Sequence, residues 1–151
     1  MMSKGEFTFS HRLRVRWAEV DRQGIVFNGH YLTYFDVGMT EYLRAIGIPY
    51  PDGLLEYDGD LFLVKATVEY KSPALYDDEL DCHVRIGRIG RSSVQFLFAL
   101  YRESELLVTG ENIYVNAHPV TRTPAPVHPA VRETIVAFER LAPGMRFTTG
   151  E

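Results

Sequence analysis

The stretch EVDRQGIVFNGHYLTYF, residues 19–35, places a carboxylate shortly before a helix entrance, and that pairing can do chemistry. Asp21 can activate a water molecule or attack an electrophilic carbonyl. The backbone N–H groups near Asn28 to His30 lack partners within the helix they open and lie at its positive end, so they can hold negative charge developing on an oxygen. Together the two features suit acyl transfer. Asp21 and Gly24 also make an ordinary turn signal, because Asp bonds its own backbone and Gly accepts a left-handed φ. Asn28 has a second use as a helix N-cap. Gly29 lets a substrate approach the backbone, while His30 can face the cleft, bond structurally or face solvent. Tyr31 packs in the helix seam or shapes a pocket.

Other reactive side chains are scattered. His11, His30, His83, His118 and His128 fall into no H-E-x-x-H spacing, and the single cysteine, Cys82, cannot form a C-x-x-C pair, so no metal site is expected. Neither a glycine-rich nucleotide loop nor a serine nucleophile elbow occurs. Cys82 sits in an alternating stretch and reads as buried packing.

The elements that must hold Asp21 follow from periodicity. In FTFSHRLRVRWAEV, Leu13, Val15 and Trp17 alternate with Arg12, Arg14 and Arg16, which predicts a strand with Trp17 on its apolar side. A turn from Asp21 to Gly24 then leads to a helix with Asn28 as N-cap and Phe27 stapled against Leu32. Tyr31, Phe35, Met39, Tyr42 and Ile46 form its apolar stripe, with Thr33, Asp36, Thr40 and Arg44 on the wetter side. Gly47 stands at C′ and Pro49 blocks continuation. Gly38, inside the helix, implies close packing against a sheet or an unoptimised position.

After a Pro-, Gly- and Asp-rich connection the period changes to two. Phe62, Val64, Ala66, Val68 and Tyr70 define one strongly buried face of a strand. Leu80, Cys82, Val84 and Ile86 define the next, and GRIGR marks a bulge or hairpin before SSVQFLFALYRE. In the last long strand Ile113, Val115 and Ala117 oppose Tyr114 and Asn116. A Pro-rich connector and a short helix over residues 130–141 close the chain. Five strands with one long helix after the first outline an α+β fold in which the sheet covers the helix.

On those residues the chain is similar to a known family. DRQGIVFNGHYLTYF (21–35) followed by TEYLRAIG (40–47) resembles the hotdog-fold acyl-CoA thioesterases of the 4-hydroxybenzoyl-CoA thioesterase type and their acyl-CoA thioester hydrolase relatives. The order of strand, long helix and four more strands extends the similarity over about residues 7–119. The resemblance implies a hotdog fold, an antiparallel sheet of about five strands wrapped around a long central helix. It makes Asp21 the catalytic carboxylate and the backbone N–H of Asn28 the donor to the thioester carbonyl, with Gly24, Phe27, Gly29, His30 and Tyr31 around the substrate. Lys71, Arg88 and Arg91 are candidates for the coenzyme A phosphates.

The implied reaction is hydrolysis of an acyl-CoA or acyl-carrier-protein thioester without a cofactor or metal, by Asp21 acting as general base or as nucleophile. The implied cleft lies between subunits, hence a homodimer or homotetramer. Two positions depart from the family pattern: Asn28, where relatives often carry His or Tyr, and Met39, where many carry Arg. The other readings are a non-catalytic acyl-thioester binding or regulatory module, and a hotdog dehydratase, whose usual His-containing motif has no clear match here.

With 151 residues, 46% apolar content and no composition break, the chain is expected to form one domain over residues 1–151. A net charge of −4 argues against a general nucleic-acid surface, and no apolar run approaches the roughly 20 residues of a membrane helix. A single cysteine and a start without a secretory signal lead to the expectation of a soluble, cytoplasmic protein.

Overall fold

The computed structural model describes residues 3–144. β1 (Phe9–Arg14) is followed by α1 (His30–Ala45), one turn of helix α2 (Asp52–Leu55), then β2 (Asp60–Tyr70), β3 (Glu79–Ile89), β4 (Ser93–Arg102), β5 (Glu105–Ala117) and α3 (Pro129–Phe138). The strands form one antiparallel sheet in the order β1-β3-β4-β5-β2, so β1 and β2 are its edges. This is the α+β hotdog arrangement.

The sheet closes on α1 because both present apolar side chains at the matching period. Leu80, Cys82, Val84 and Ile86 from β3 and Phe96, Phe98 and Leu100 from β4 are fully buried, against Tyr31, Phe35, Met39, Tyr42 and Leu43 of the helix. Burying one such side chain is worth about 1.5–3 kcal/mol. Phe35 stacks on Phe98 with centroids 4.6 Å apart and lies over Gly110, where any Cβ would overlap its ring. Burial pushes the Cys82 thiol up to about 12, in keeping with packing.

Gly38 has a sheet-packing reason: a Cβ there would lie 2.8 Å from the Cys82 Sγ and 3.0 Å from the Val84 Cγ2. Gly38→Ala is expected to lower unfolding free energy by about 1–3 kcal/mol through overpacking, despite the better helix propensity of Ala. Urea unfolding measures this; an unchanged or higher midpoint would contradict it. The helix stops as expected. Gly47, at φ 86°, donates to the Arg44 carbonyl at 3.2 Å and Ile48 to that of Leu43 at 2.9 Å, which is a Schellman closure.

Several expectations are corrected. β1 ends at Arg14; Val15 is buried, but Trp17 enters a short 3-10 turn and is 74% exposed, edge-on to Tyr76. Asn28 does not cap α1. Gly29 holds the N-cap position, without a side-chain cap, and Phe27 meets the ring of His30 rather than being buried with Leu32. The face of β2 expected to be buried is only partly so: Phe62 and Val68 are half-buried, while Val64 is 60% and Tyr70 55% exposed, and among the described residues β5 is the one strand paired with β2. In β5 the buried face carries Asn112, Tyr114 and Asn116.

The terminal helix runs Pro129–Phe138, with the His128 Nδ1 accepting from the Ala130 N–H at 3.0 Å. Just beyond it, Glu139 is buried and accepts hydrogen bonds from the Tyr42 hydroxyl and the Ile86 N–H, tying the end of α3 to α1 and β3. Burial raises the Glu139 pKa, opposed by those two donors.

Candidate active site

The turn after β1 is stitched together by its own backbone. Asp21 N–H donates to the Ile25 carbonyl and Gly24 N–H to the Asp21 carbonyl, both at 2.9 Å, with Gly24 at φ 81° where a side chain would be strained. The Gln23 N–H donates to the Asp21 Oδ1 at 2.8 Å, an Asx turn that fixes the carboxylate. Among the described residues the other carboxylate oxygen has no hydrogen-bond partner. Turn chemistry and a free reactive oxygen therefore coexist in one residue.

The turn is fastened on two sides. Val26 N–H donates to the Ala74 carbonyl at 2.9 Å, and Ile25 bridges to Leu75, which docks the turn on the segment after β2. On the other side Glu19 is only 5% exposed, and its carbonyl accepts from Phe27 N–H at 2.9 Å. The Glu19 carboxylate takes hydrogen bonds from Arg16 N–H, Arg16 Nε and the Tyr34 hydroxyl, at 2.8, 2.9 and 2.8 Å. Burial opposes its ionisation, but those three donors together hold it below the usual Glu range. Glu19 is a supporting residue that period-two reading passes over, because nothing in the local pattern marks a buried charge.

At the entrance to α1, His30 N–H donates to the Phe27 carbonyl at 2.9 Å and Tyr31 N–H reaches the Asn28 carbonyl at 3.4 Å. The backbone N–H of His30 is thus already engaged. The backbone N–H groups of Asn28 and Gly29 have no partner among the described residues, and they sit at the positive end of a 16-residue helix. The Asn28 carbonyl also accepts from the Tyr70 hydroxyl at 3.1 Å, which ties the helix entrance to the end of β2. Tyr31 accepts the Ala74 N–H on its hydroxyl at 3.1 Å, so it serves both structure and pocket wall.

These groups meet in one cleft of about 380 Å³, lined by Asp21, Asn28, Tyr31, Tyr70, Lys71 and Ser72 among others. Of the residues expected from sequence, Asp21, Asn28, Tyr31 and Lys71 are brought together. Gly24, Phe27, Gly29 and His30 flank the cleft without lining it, Gly24 by shaping the turn and Gly29 through its backbone. Tyr70 was assigned only to a buried strand face and emerges as a cleft residue. Arg88 and Arg91 lie elsewhere: Arg88 is at the end of β3 and Arg91 in the β3–β4 hairpin, the opposite end of the sheet from the Asp21 turn. They cannot share this cleft within one protomer.

Among the described residues no three His, Cys, Asp or Glu side chains cluster so as to hold a metal ion, and no helix is long and apolar enough to cross a membrane.

Comparison with known proteins points the same way as the cleft. A model of the thioesterase superfamily matches residues 23–109. The acyl-CoA thioesterase YbgC of Haemophilus influenzae is 30% identical over 100 residues, covering 66% of this chain and 73% of that protein. The acyl-CoA thioester hydrolase YbgC of Escherichia coli is 29% identical over 131 residues, covering 85% and 93%. A solved Thermus thermophilus thioesterase, complexed with coenzyme A and zinc, superimposes with a TM-score of 0.76 at 28% identity, covering 89% of this chain and 96% of that one.

Proposed function

The chain belongs to the thioesterase superfamily, and from that premise we propose that it hydrolyses acyl-CoA thioesters to a free carboxylic acid and coenzyme A, with Asp21 as the reacting carboxylate. The observation that carries this is the meeting, in one cleft, of a carboxylate with one oxygen unengaged and the helix-entrance residue Asn28, whose N–H is unpartnered among the described residues.

The thioester carbonyl oxygen sits on the N–H groups of Asn28 and Gly29, which gain strength as negative charge develops there. Asp21, steadied by Gln23 N–H, uses its other oxygen in one of two ways. As a base it takes a proton from water as the water adds to the carbonyl carbon, then returns it to the departing sulfur when the C–S bond breaks. As a nucleophile it adds to the carbon itself, expels the thiolate, and forms a mixed anhydride that water cleaves. Both routes release one acid and one thiol, and both need Asp21 ionised. Carboxylate, N–H groups and water suffice, so the reaction takes no cofactor.

Lys71, exposed on the rim of the cleft, is the phosphate contact for coenzyme A. Lys71→Ala is expected to raise KM for an acyl-CoA by about 3- to 10-fold, and to leave unchanged the kinetics of the same acyl group on N-acetylcysteamine, which has no phosphate. An equal effect on both would contradict the assignment. An acyl-carrier-protein thioester presents the same reacting carbonyl and is the second carrier to test.

The open edge of β2 supports a homodimer. Leu63, Val64 and Tyr70 are more than half exposed on a strand with unpaired backbone groups, a combination that isolated chains avoid. Antiparallel pairing of two β2 strands about a two-fold axis satisfies both. It also turns the end of one protomer that carries Arg88 and Arg91 toward the Asp21 end of its partner, which gives those arginines a phosphate role across the interface. The substrate and the buried thiol of Cys82 fit a reducing cytoplasm.

A thiol-release assay over short aliphatic and aromatic acyl-CoA thioesters tests the reaction directly. One thiol should appear per acid formed. Binding of these thioesters without thiol release would overturn hydrolysis and favour a non-catalytic acyl-thioester module.

A further inference from the structure

The two N–H groups at the entrance of α1 that are unpartnered among the described residues each belong to a peptide unit whose carbonyl is held. The Asn28 N–H is on the Phe27–Asn28 peptide, and the Phe27 carbonyl accepts from His30 N–H at 2.9 Å, within the same turn. The Gly29 N–H is on the Asn28–Gly29 peptide, and there the turn's own hold is weaker, with Tyr31 N–H reaching the Asn28 carbonyl only at 3.4 Å. The Tyr70 hydroxyl, at 3.1 Å, is the closer donor to that carbonyl and comes from another element, the end of β2.

Packing does not account for the Tyr70 hydroxyl. The ring meets Tyr31 edge-on with centroids 5.5 Å apart, a contact that phenylalanine makes as well, and the residue is more than half exposed. Among the described residues the hydroxyl makes one hydrogen bond, to the Asn28 carbonyl. The Asn28–Gly29 peptide is trans, so its C=O and N–H lie in one plane and point in opposite directions. A donor on the carbonyl therefore fixes the direction of the Gly29 N–H and the ψ of Asn28, which lines the cleft. It also draws electrons toward the carbonyl oxygen, which makes the N–H of the same peptide a stronger donor.

We propose that Tyr70 is a positioning residue for the hydrolysis: its hydroxyl orients and polarises the Asn28–Gly29 peptide, and through it strengthens the hold of the helix entrance on the oxyanion. The proposal rests on the placement of the thioester carbonyl given under Proposed function. α1 has no side-chain cap, and bracing its entrance through a carbonyl leaves the N–H groups free for the substrate. The effect is largest when the substrate oxygen carries most charge. The hydroxyl therefore lowers the barrier more than it tightens binding of the neutral thioester.

Tyr70→Phe tests this, since it removes the hydroxyl and keeps an exposed ring in place, with the thermal midpoint expected to match the wild type. For an acyl-CoA that the wild type hydrolyses, kcat should fall by about 5- to 30-fold, while KM stays within about twofold. A CoA trifluoromethyl ketone, whose hydrate mimics the tetrahedral species, should lose affinity by the same factor as kcat/KM, and CoA itself should bind as before. General loosening of the cleft would weaken both ligands instead. In isotope-labelled protein the amide nitrogen resonance of Gly29 should move upfield as its peptide loses the donor on the carbonyl, a reading that needs no turnover. A kcat within about twofold of the wild type, equal weakening of both ligands, or an unmoved Gly29 resonance overturns the proposal. So does a raised KM at unchanged kcat, which would make Tyr70 a direct substrate contact. Each of these leaves the hydrolase reading standing, whereas wild-type protein that releases no thiol from any acyl-CoA overturns that reading and this proposal with it.

Discussion

Replacing Asp21 by Asn is expected to lower kcat for acyl-CoA hydrolysis by about 100- to 10,000-fold, the range associated with loss of a positioned acid or base. The exchange is nearly isosteric, and an amide oxygen can still accept the Gln23 N–H, so the Asx turn survives. What disappears is the charge and basicity of the second oxygen, and with them both routes to the tetrahedral species. KM should change little, because the carbonyl still rests on the helix N–H groups, and the thermal midpoint and oligomeric state should match those of the wild type. Turnover within a factor of two of the wild type would remove Asp21 from the chemistry.

The second large effect concerns assembly. Val64→Lys places a charge on the open edge of β2, where Val64 is 60% exposed in the protomer and is covered by a second copy in the proposed dimer. Two-fold symmetry doubles the insult, since each interface then holds two unpaired charges. Light scattering should show the mass falling from twice that of the protomer to that of the protomer alone, while circular dichroism stays native because β2 keeps its pairing with β5. Thiol release should fall at least about 10-fold at low protein concentration, since the phosphate contact proposed across the interface goes with the partner. A variant that remains dimeric would show that this edge is not the interface.

Much of this fold was legible in the residues, and the misses have physical causes. The stripe Tyr31, Phe35, Met39, Tyr42 located α1 because burial against a sheet demands that period, and Gly47 with Pro49 marked its end through a backbone conformation that few residues adopt. The start was harder. Asn28 is a good cap by type, but the chain enters with Gly29 already in helical φ and ψ, so the Asn28 side chain has no cap to make. Trp17 broke the alternation of β1 because Val15 pairs with the segment at Asp77 and Asp78, and the chain then turns away from the sheet.

The apolar face read for β2 is real as sequence and open as structure. One chain cannot bury it, which is the pattern expected of an interface strand. That Arg88 and Arg91 stand at the other end of the sheet from Asp21 could not be read locally, because strand order and register, which set the two ends apart, leave no trace in the neighbouring residues. The Asp21 turn was legible because its chemistry is local, from Asp21 through Gly24. The contacts of Tyr70 and Glu19 were not, because they depend on what lies opposite them once the sheet has closed on α1.

In the proposed reaction the Asp21 carboxylate faces a thioester carbonyl held by the entrance of α1. A crystal structure of Asp21→Asn with an intact acyl-CoA measures this directly, through the distance from the thioester carbonyl oxygen to the backbone nitrogens of Asn28 and Gly29. The expected result is a distance of about 2.7–3.1 Å to at least one of them, with residue 21 beside the carbonyl carbon. A thioester bound with its carbonyl turned away from both nitrogens, or outside the cleft formed by Asp21, Tyr31 and Tyr70, would contradict it.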